Sequence, residues 1–275
     1  MKTTVIGCGS WGSRVARRLV ELGERVTLVD ADDAAVRALA GELGCAWSSD
    51  PFGYLGVTGT QASTLEGGRV VIATPPAIRV QMVRAVLAGY GVKPVSIRVE
   101  KPLASTLDEA REIVALCDEA GVELVTGFTL LHHPLYDAVF EYLQGAAVLG
   151  VSAIRIGKRR PAHVVSPLAD LGIHAASVAA HLGADPASVL ITAAYVDGCD
   201  VRRTELATSL GRVVVDEVAG TADTPEGALQ PREDARDALT LDLEAWIQRT
   251  HRGGPATALA AQEIIEAHHV VAVAA

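Results

Sequence analysis

Short apolar runs alternate with longer amphipathic segments along the first half of the chain. The runs that predict strands are residues 3–6, 25–30, 70–73, 95–100 and 123–126. Between them, apolar residues recur at the three- and four-residue spacing of helices in segments 10–22, 33–43, 78–88 and 106–120. The last of these helices opens on a capping box, Thr106 with Glu109. Such alternation is typical of a parallel sheet with helices on both faces, so residues 1–127 are predicted to form a doubly wound α/β domain.

The second half has a different pattern and predicts a smaller α/β domain at residues 128–275. Strand candidates are confined to residues 150–156, 189–196, 203–210 and 212–218. Helices are predicted at residues 168–182, 234–249 and 256–271, and a segment rich in Gly, Thr and Pro at 219–233 is predicted to be a surface loop.

Composition and charge exclude several functional classes. The net charge of −9 argues against nucleic-acid binding, and no apolar run reaches the length of a membrane span. Val5 and Ile6 already belong to the first predicted strand, so we expect no secretory signal. Four cysteines without CxxC spacing are typical of reduced thiols in a cytoplasmic protein, and the histidines show no metal-ligand spacing, so we expect no metal.

A glycine-rich turn joins the first predicted strand to the first helix. Residues Gly7 to Gly12 spell GxGxxG, in the strand–turn–helix setting where such a turn lets the backbone approach a pyrophosphate. The second strand ends at Asp30, whose carboxylate is placed to bind the adenosine ribose hydroxyls and would repel a 2′-phosphate. The pattern predicts NAD as cofactor, with NADP less favoured. One of the two following acidic residues, Asp32 or Asp33, is predicted to cap the next helix.

Two further motifs follow strands at the predicted ligand edge of the sheet. Thr74-Pro75-Pro76 either ends its strand or shapes the floor under the nicotinamide. Lys101, after Glu100 and before Pro102, is either a surface lysine or a group that binds the substrate oxygen and helps to move its proton. The predicted cofactor-binding residues are Gly7, Gly9, Ser10, Trp11, Gly12, Asp30, Ala73, Thr74, Pro75, Pro76, Glu100 and Lys101.

The predicted helix 168–182 carries a polar stripe opposite its apolar one. Asp170, His174, Ser177 and His181 follow at steps of four, three and four residues. Asp170 and His174 suit a general base oriented by a carboxylate, the alternative being a simple capping or ion pair. His181 suits the helix C-terminus.

In these motifs the chain resembles the Gfo/Idh/MocA (glucose–fructose oxidoreductase, inositol dehydrogenase, rhizopine catabolism) family. The shared motifs are Gly7–Gly12, Ala73–Pro76, Glu100–Pro102 and Asp170–His174, in order. The resemblance implies a Rossmann domain followed by an α/β domain with an open, mostly antiparallel sheet that often mediates homo-oligomerisation, here to a dimer or tetramer. It implies Lys101, Asp170 and His174 as the catalytic set of a dehydrogenase or reductase, acting on the secondary alcohol or ketone of a sugar, cyclitol or related small molecule.

Several positions depart from the family pattern around the expected substrate pocket. The residue after Thr74-Pro75-Pro76 that is often histidine in the family is replaced nearby by Arg79, and Ala175 and Ala176 follow His174 in place of polar residues. The chain is also shorter than typical members, so the substrate sheet is expected to be trimmed.

Other residues are candidates for substrate contacts. His132 and His133 bind substrate or serve as a loop or helix cap. The basic residues Arg155, Lys158, Arg159 and Arg160 clamp an acidic group or form a solvated strand end. The alternatives to hydride transfer are an NAD-dependent glycosidase or lyase and a non-catalytic NAD- or sugar-sensing protein.

Overall fold

The computed structural model describes residues 1–54, 68–89, 93–158, 166–231 and 236–267. The chain folds into two compact units: Met1–Gly127 with Leu243–Pro255, and Phe128–Asp242 with the chain from Ala256 on. From the sequence, residues 243–255 are expected in the second domain, whereas in the structure they pack with the first unit. None of the helices in the described ranges combines the length and the apolar character that a bilayer crossing requires.

The first unit is built on a six-stranded parallel sheet with the strand order β3-β2-β1-β4-β5-β6. The strands are β1 (Lys2–Ile6), β2 (Arg25–Val29), β3 (Ala46–Ser48), β4 (Arg69–Ile72), β5 (Ser96–Glu100) and β6 (Glu123–Gly127). The helices are α1 (Ser10–Glu21), α2 (Asp33–Leu43), α3 (Pro51–Tyr54), α4 (Arg79–Ala88) and α5 (Leu107–Ala120). This order reverses direction between β1 and β4, and ligands of open α/β sheets bind in the crevice beyond that point. The predicted doubly wound fold is confirmed.

Local sequence explains where these elements begin and end. Thr106 caps the helix by accepting a hydrogen bond from the Glu109 N–H at 3.2 Å, as the predicted capping box requires. The Glu109 carboxylate reaches back to the Ser105 N–H, at 3.0 Å, one residue before the cap. Gly44 and Gly121 end α2 and α5 in the left-handed conformation, which glycine adopts without a Cβ penalty. The short elements β3 and α3 are not anticipated from the sequence.

Residues 246 and 247 of the segment 243–255 are bound at the amino ends of β4 and β5 in the first unit. The indole of Trp246 donates a hydrogen bond to the Ser96 hydroxyl at 2.7 Å. The guanidinium of Arg69 lies 5.8 Å from the Trp246 ring and donates to the Ile247 carbonyl at 2.9 Å. Arg69 also pairs with Glu24 at 3.5 Å, so an ion pair and a buried indole hold this segment in place.

The second unit contains a mixed six-stranded sheet with the order β12-β11-β10-β9-β7-β8. Only β7 and β8 pair in parallel; the other neighbours are antiparallel, which confirms the expected open, mostly antiparallel sheet. The strands are β7 (Val148–Gly157), β8 (Val189–Tyr195), β9 (Val201–Thr208), β10 (Gly211–Asp216), β11 (Thr221–Thr224) and β12 (Gly227–Leu229). The remaining helices are α6 (Pro134–Tyr142), α7 (Ile173–His181), α8 (Ala238–Ile247) and α9 (Pro255–Ala267).

Two predictions for this half of the chain are wrong in part. The segment 219–233 was expected to be a loop, yet it contains the hairpin of β11 and β12, in which Ala222 is buried. Gly227 supplies the positive φ of the turn, and the Thr224 hydroxyl donates to its carbonyl at 2.8 Å. The predicted helix 168–182 begins as a π-helical turn, Leu168–Gly172, before α7.

Candidate active site

The glycine loop between β1 and α1 fits a dinucleotide pyrophosphate. Gly7 has φ +94°, and a Cβ there would lie 2.8 Å from the Ala73 carbonyl carbon, so only glycine lets β1 and β4 approach at this point. A Cβ on Gly12 would overlap the Gly7 carbonyl oxygen, so this glycine allows α1 to pack on the loop. A Cβ on Gly9 would have nothing within 4 Å. The chain therefore leaves open space where a phosphate would meet the backbone.

The amino end of α1 has the electrostatics that an anion requires. Its N-cap, Gly9, offers no side-chain hydrogen bond, and the first turn contains no acidic residue. The unpaired N–H groups and the positive end of the helix dipole therefore face the loop without internal compensation. Nearby, the Thr74 hydroxyl and the Trp11 indole N–H are buried and have no hydrogen-bond partner among the described residues. These donors fit the predicted cofactor site.

Asp30 follows β2 and binds the backbone of the glycine loop. Its carboxylate accepts hydrogen bonds from the Cys8 N–H at 2.5 Å and from the Asp32 N–H at 2.9 Å. Burial, and secondarily the charge of Asp30, raises the pKa of the Cys8 thiol to about 12, so this side chain stays neutral beside the loop. Asp32 caps α2 by accepting from the Ala35 N–H at 3.0 Å, and Asp33 pairs with Arg37 at 3.0 Å. The expected helix cap is therefore Asp32.

Arg79 joins the two loops that follow β4 and β5. Its guanidinium is buried and donates to the carbonyl oxygens of Thr74, at 2.9 Å, Glu100 and Pro102. Burial lowers the pKa of Arg79 to about 10, against the charge of Glu100, which raises it. Arg79 was expected among the residues around the substrate pocket. The structure places it instead under the Lys101 loop, with a structural role, because three backbone carbonyls occupy its donors.

Glu100 and Lys101 follow the same strand but differ in environment. The Glu100 carboxylate is buried in an ion pair with Arg98. A Cβ on Gly127 would lie 2.6 Å from an Arg98 nitrogen and 2.7 Å from a Glu100 oxygen, so the absence of a side chain at Gly127 makes room for this pair. Lys101 is half-buried at the carboxyl end of the sheet. The Glu100 carboxylate is therefore already bound by Arg98, so a cofactor would have to compete with this ion pair for it. Lys101 lies at the edge where ligands of such sheets bind.

Asp170 and His174 lie in the second unit, on either side of the junction between the π-helical turn and α7. Both side chains are half-buried, and the Asp170 Oδ2 accepts a hydrogen bond from the Tyr195 hydroxyl at 3.1 Å. The polar stripe predicted for this helix is interrupted. Ser177 is fully buried and donates to the His174 carbonyl at 2.7 Å, while the His181 ring lies 4.7 Å from that of Phe140. Asp170 and His174 thus remain the accessible titratable pair of the stripe.

The residues predicted to contact substrate lie in different environments in the structure. The Nδ1 atom of His133 caps α6 by accepting from the Leu135 N–H at 3.1 Å, and burial lowers its pKa. His132 is buried in the turn before α6, with Nε2 4.0 Å from an Asp242 oxygen. Lys158 is exposed, and Arg159 and Arg160 lie outside the described residues.

Arg155 was a candidate for binding an acidic substrate, and the structure contradicts this. Its guanidinium is buried and pairs with Glu217 at 2.6 Å. It also donates to the Thr204 hydroxyl at 2.9 Å, and the Tyr136 hydroxyl donates to Glu217 at 2.9 Å. The cation is neutralised inside the unit, because Arg155 faces inward on β7.

Two residues that contact predicted site residues were not predicted from the sequence. Arg98 lies within an apolar strand, and a cation in such a strand signals a buried partner. Side chains alternate between the two faces of a strand, so Tyr195 lies on the same face of β8 as the buried Val189, Ile191 and Ala193. This alternation could have indicated from the sequence that the Tyr195 hydroxyl faces the helices.

Comparison with known proteins supports the interpretation of these features. Residues 1–128 match the model of a family described as an oxidoreductase family with an NAD-binding Rossmann fold. The chain is 27% identical over 291 residues to D-apiose dehydrogenase of Paraburkholderia graminis, an alignment that covers 94% of this chain and 72% of that protein.

Two solved structures are similar over nearly the whole chain. UDP-N-acetylglucosamine 3-dehydrogenase GnnA from Acidithiobacillus ferrooxidans has a TM-score of 0.78 at 20% identity, covering 97% of this chain and 95% of that one. An oxidoreductase from Agrobacterium radiobacter, solved with NAD+, L-tartaric acid and magnesium, has a TM-score of 0.76 at 15% identity, covering 98% and 95%. At these identities the likeness shows a common fold. Residues 1–128 thus match the model of the Gfo/Idh/MocA family of oxidoreductases, which has an NAD-binding Rossmann fold.

Proposed function

We propose that this protein is a dehydrogenase or reductase that transfers hydride between NAD and a secondary alcohol or ketone of a sugar, cyclitol or related polar molecule. The observation that carries the proposal is the glycine loop. Gly9 is open where a pyrophosphate would lie, while Gly7 and Gly12 are required by close backbone contacts. The named sugar-related activities of the similar proteins support the substrate class.

NAD rather than NADP is the proposed cofactor. Asp30 and its neighbour Asp32 place two carboxylates at the end of β2, where a 2′-phosphate would be repelled. Arg37, the cation on α2, pairs with Asp33 and lies 5.0 Å from the Trp47 ring. Its charge is therefore already bound by neighbouring side chains. These charges favour the cofactor that has free ribose hydroxyls.

The chemistry divides between the cofactor and three side chains. When bound, NAD supplies a nicotinamide that accepts or returns the hydride. Lys101 would donate a hydrogen bond to the substrate oxygen and hold it in place. His174 would take the hydroxyl proton during oxidation and return it during reduction, and Asp170 would orient the imidazole and stabilise its protonated form. Arg79 supports Lys101 indirectly, because it ties the backbone on both sides of this lysine to the loop after β4.

Cofactor binding and turnover test the proposal in that order. Titration of the purified protein with NADH and NADPH, followed by cofactor fluorescence, is expected to show preferential binding of NADH. Oxidation of D-apiose, UDP-N-acetylglucosamine, polyols and sugar acids is then measured by NADH absorbance. Substrate cleavage without a net change in that absorbance would instead indicate a glycosidase or lyase. Binding of neither nucleotide would refute the proposal.

Variants separate the chemical residues from the cofactor site. Lys101→Ala and His174→Ala are each expected to lower turnover at least about 100-fold, as loss of a general acid–base group does, while NADH affinity is kept. Lys93→Ala is the matched control, since this exposed lysine donates only to the Ala120 carbonyl, at 3.2 Å, among the contacts described. Loss of NADH affinity in both site variants would contradict the proposed roles.

We also propose that the protein is a cytoplasmic homo-oligomer, a dimer or tetramer. The four cysteines are free thiols, as in a reducing compartment. Ile154 and Leu190 are 42% and 63% exposed on neighbouring strands of the second sheet, and a second copy of the chain would cover them. Light scattering on the purified protein and on Leu190→Asp tests this assembly. A wild-type monomer, or an unchanged oligomer in the variant, would contradict it.

A further inference from the structure

Tyr195 ends strand β8 and contacts the carboxylate of Asp170 through its hydroxyl. The distance from the hydroxyl to Oδ2 is 3.1 Å, and both side chains are half-buried. Tyr195 belongs to none of the motifs that indicated the site, and the two residues are 25 positions apart in the chain. The contact therefore results from packing between the strand and the helix.

The fold directs this hydroxyl toward the start of the helix. Tyr195 pairs in register with Gly157 of β7, and a Cβ on Gly157 would lie 3.6 Å from a methyl of Leu171, so the π-helical turn rests on this end of the two strands. On the other side of the turn, a Cβ on Gly172 would lie 2.5 Å from Leu168 and 3.2 Å from Ile191. The absence of a side chain at Gly172 thus allows the turn to pack closely on β8, which brings Asp170 within reach of the tyrosine.

The inward face of β8 changes character at its last residue. Val189, Ile191 and Ala193 are buried and apolar, and Tyr195 follows at the same parity with a phenol. A phenylalanine would fill the same space without the cost of desolvating a hydroxyl. Packing alone therefore does not explain the hydroxyl, whose observed hydrogen-bond partner is the carboxylate of Asp170.

The chemistry of the donor suits a carboxylate that has to remain charged. A lysine or arginine at this place would neutralise Asp170 and weaken its attraction for a protonated imidazole. A tyrosine hydroxyl is uncharged, so it fixes the carboxylate while leaving its negative charge available to His174. The π-helical turn makes such fixing useful, because π-turns alter the register of side chains and occur frequently at functional sites.

We propose that Tyr195 is a positioning residue, which holds the Asp170 carboxylate in the orientation that stabilises the protonated His174. The inference rests on the proposed function, in which His174 exchanges a proton with the substrate. It assigns Tyr195 no contact with substrate or cofactor. Removal of the hydroxyl should weaken proton transfer without affecting cofactor binding.

The decisive experiment follows the titration of His174 by NMR in histidine-labelled protein without ligands. The His174 signal is assigned by its absence from His174→Gln. Asp170→Asn is expected to lower the midpoint of this titration, because the negative partner is lost. Tyr195→Phe is expected to lower it in the same direction by a smaller amount, and to have no further effect when added to Asp170→Asn.

Matched controls isolate the hydroxyl. Tyr142→Phe removes a buried hydroxyl that has no hydrogen-bond partner among the described residues, and it should leave the His174 midpoint unchanged. Among the described residues, the elements that pack against this helix also carry His132 and Arg155, the latter with its partners Glu217 and Tyr136, and all variants keep these groups. Thermal melting of each variant verifies that the fold is retained.

Kinetics with D-apiose and NAD provide a second readout. Tyr195→Phe should lower kcat about tenfold, with the KM for NAD unchanged, as loss of an orienting partner does at other sites. An unchanged midpoint in Tyr195→Phe, or an equal change with and without Asp170, would overturn the inference. Absence of turnover in the wild type would count against D-apiose as the substrate, while the NMR titration would still decide the role of Tyr195.

Discussion

Alanine substitutions at Gly9 and Gly12 separate cofactor binding from folding within one loop. The two glycines are three residues apart, and the same methyl group is added at each. At Gly9 it would enter space where, apart from the adjoining residues, no described atom lies within 4 Å. At Gly12 it would overlap the carbonyl oxygen of Gly7, a backbone atom that cannot rotate away.

The magnitudes follow from these surroundings. Gly9 has φ −62°, which alanine adopts without strain, so Gly9→Ala should change the free energy of unfolding by less than about 1 kcal/mol. The methyl would occupy the place of a phosphate and remove about one charge-assisted hydrogen bond of roughly 1.5–3 kcal/mol, which weakens NADH binding about 10- to 150-fold. Gly12→Ala should destabilise the fold by about 3 kcal/mol, a loss of roughly 6–12 °C in Tm.

Two assays on the same samples measure both effects. Fluorescence titration gives the Kd for NADH, and a thermal melt gives Tm. Gly9→Ala should lose affinity at an unchanged Tm, whereas Gly12→Ala should lose Tm. If Gly9→Ala bound NADH within twofold of the wild type, the pyrophosphate would not approach Gly9. If both variants lost the same Tm, the packing argument would be refuted.

Three further predictions concern stability. Trp246→Phe removes the hydrogen bond to Ser96, 2.7 Å in the structure, and should cost about 1 kcal/mol in a denaturant melt; no change would mean that the indole N–H does not anchor segment 243–255. Glu217→Ala leaves Arg155 buried without its anion and should cost about 3–5 kcal/mol, measured the same way, whereas a near-neutral result would contradict the inward-facing ion pair. Burial raises the pKa of Cys117 from 9.0 to about 12, so the unfolded chain binds fewer protons above pH 9 and stability should fall as pH rises through this range. This decline in Tm should be shallower in Cys117→Ala, and equal slopes would argue against the buried thiol.

The Arg79 network shows how one buried cation organises the ligand edge of the first unit. Its donors reach carbonyl oxygens on both sides of Lys101 and on the loop after β4. Unpaired buried carbonyl groups are costly, so the guanidinium satisfies acceptors that the turns leave open. Arg79, which the sequence places around the expected substrate pocket, thus supports these loops.

Much of the first unit was predictable from the sequence because its signals are local. Strand and helix periodicities reflect which side of each element is buried, and the glycine spacing reflects contacts within one strand–turn–helix segment. The capping box at Thr106 is local as well. The hairpin at residues 221–229 was missed because its short strands carry Thr, Gly and Asp, residues that are also typical of loops.

Sequence patterns alone identify the order of elements, the NAD-binding loop, the acidic residue after the second strand and the motifs around Lys101 and His174. The long-range partners of polar side chains became known only from the folded structure. Trp246 meets Ser96 across 150 residues, Arg155 meets Glu217 across 62, and Tyr195 meets Asp170 across 25. Such pairs depend on which elements pack together and in which register, and no local sequence pattern specifies the partner.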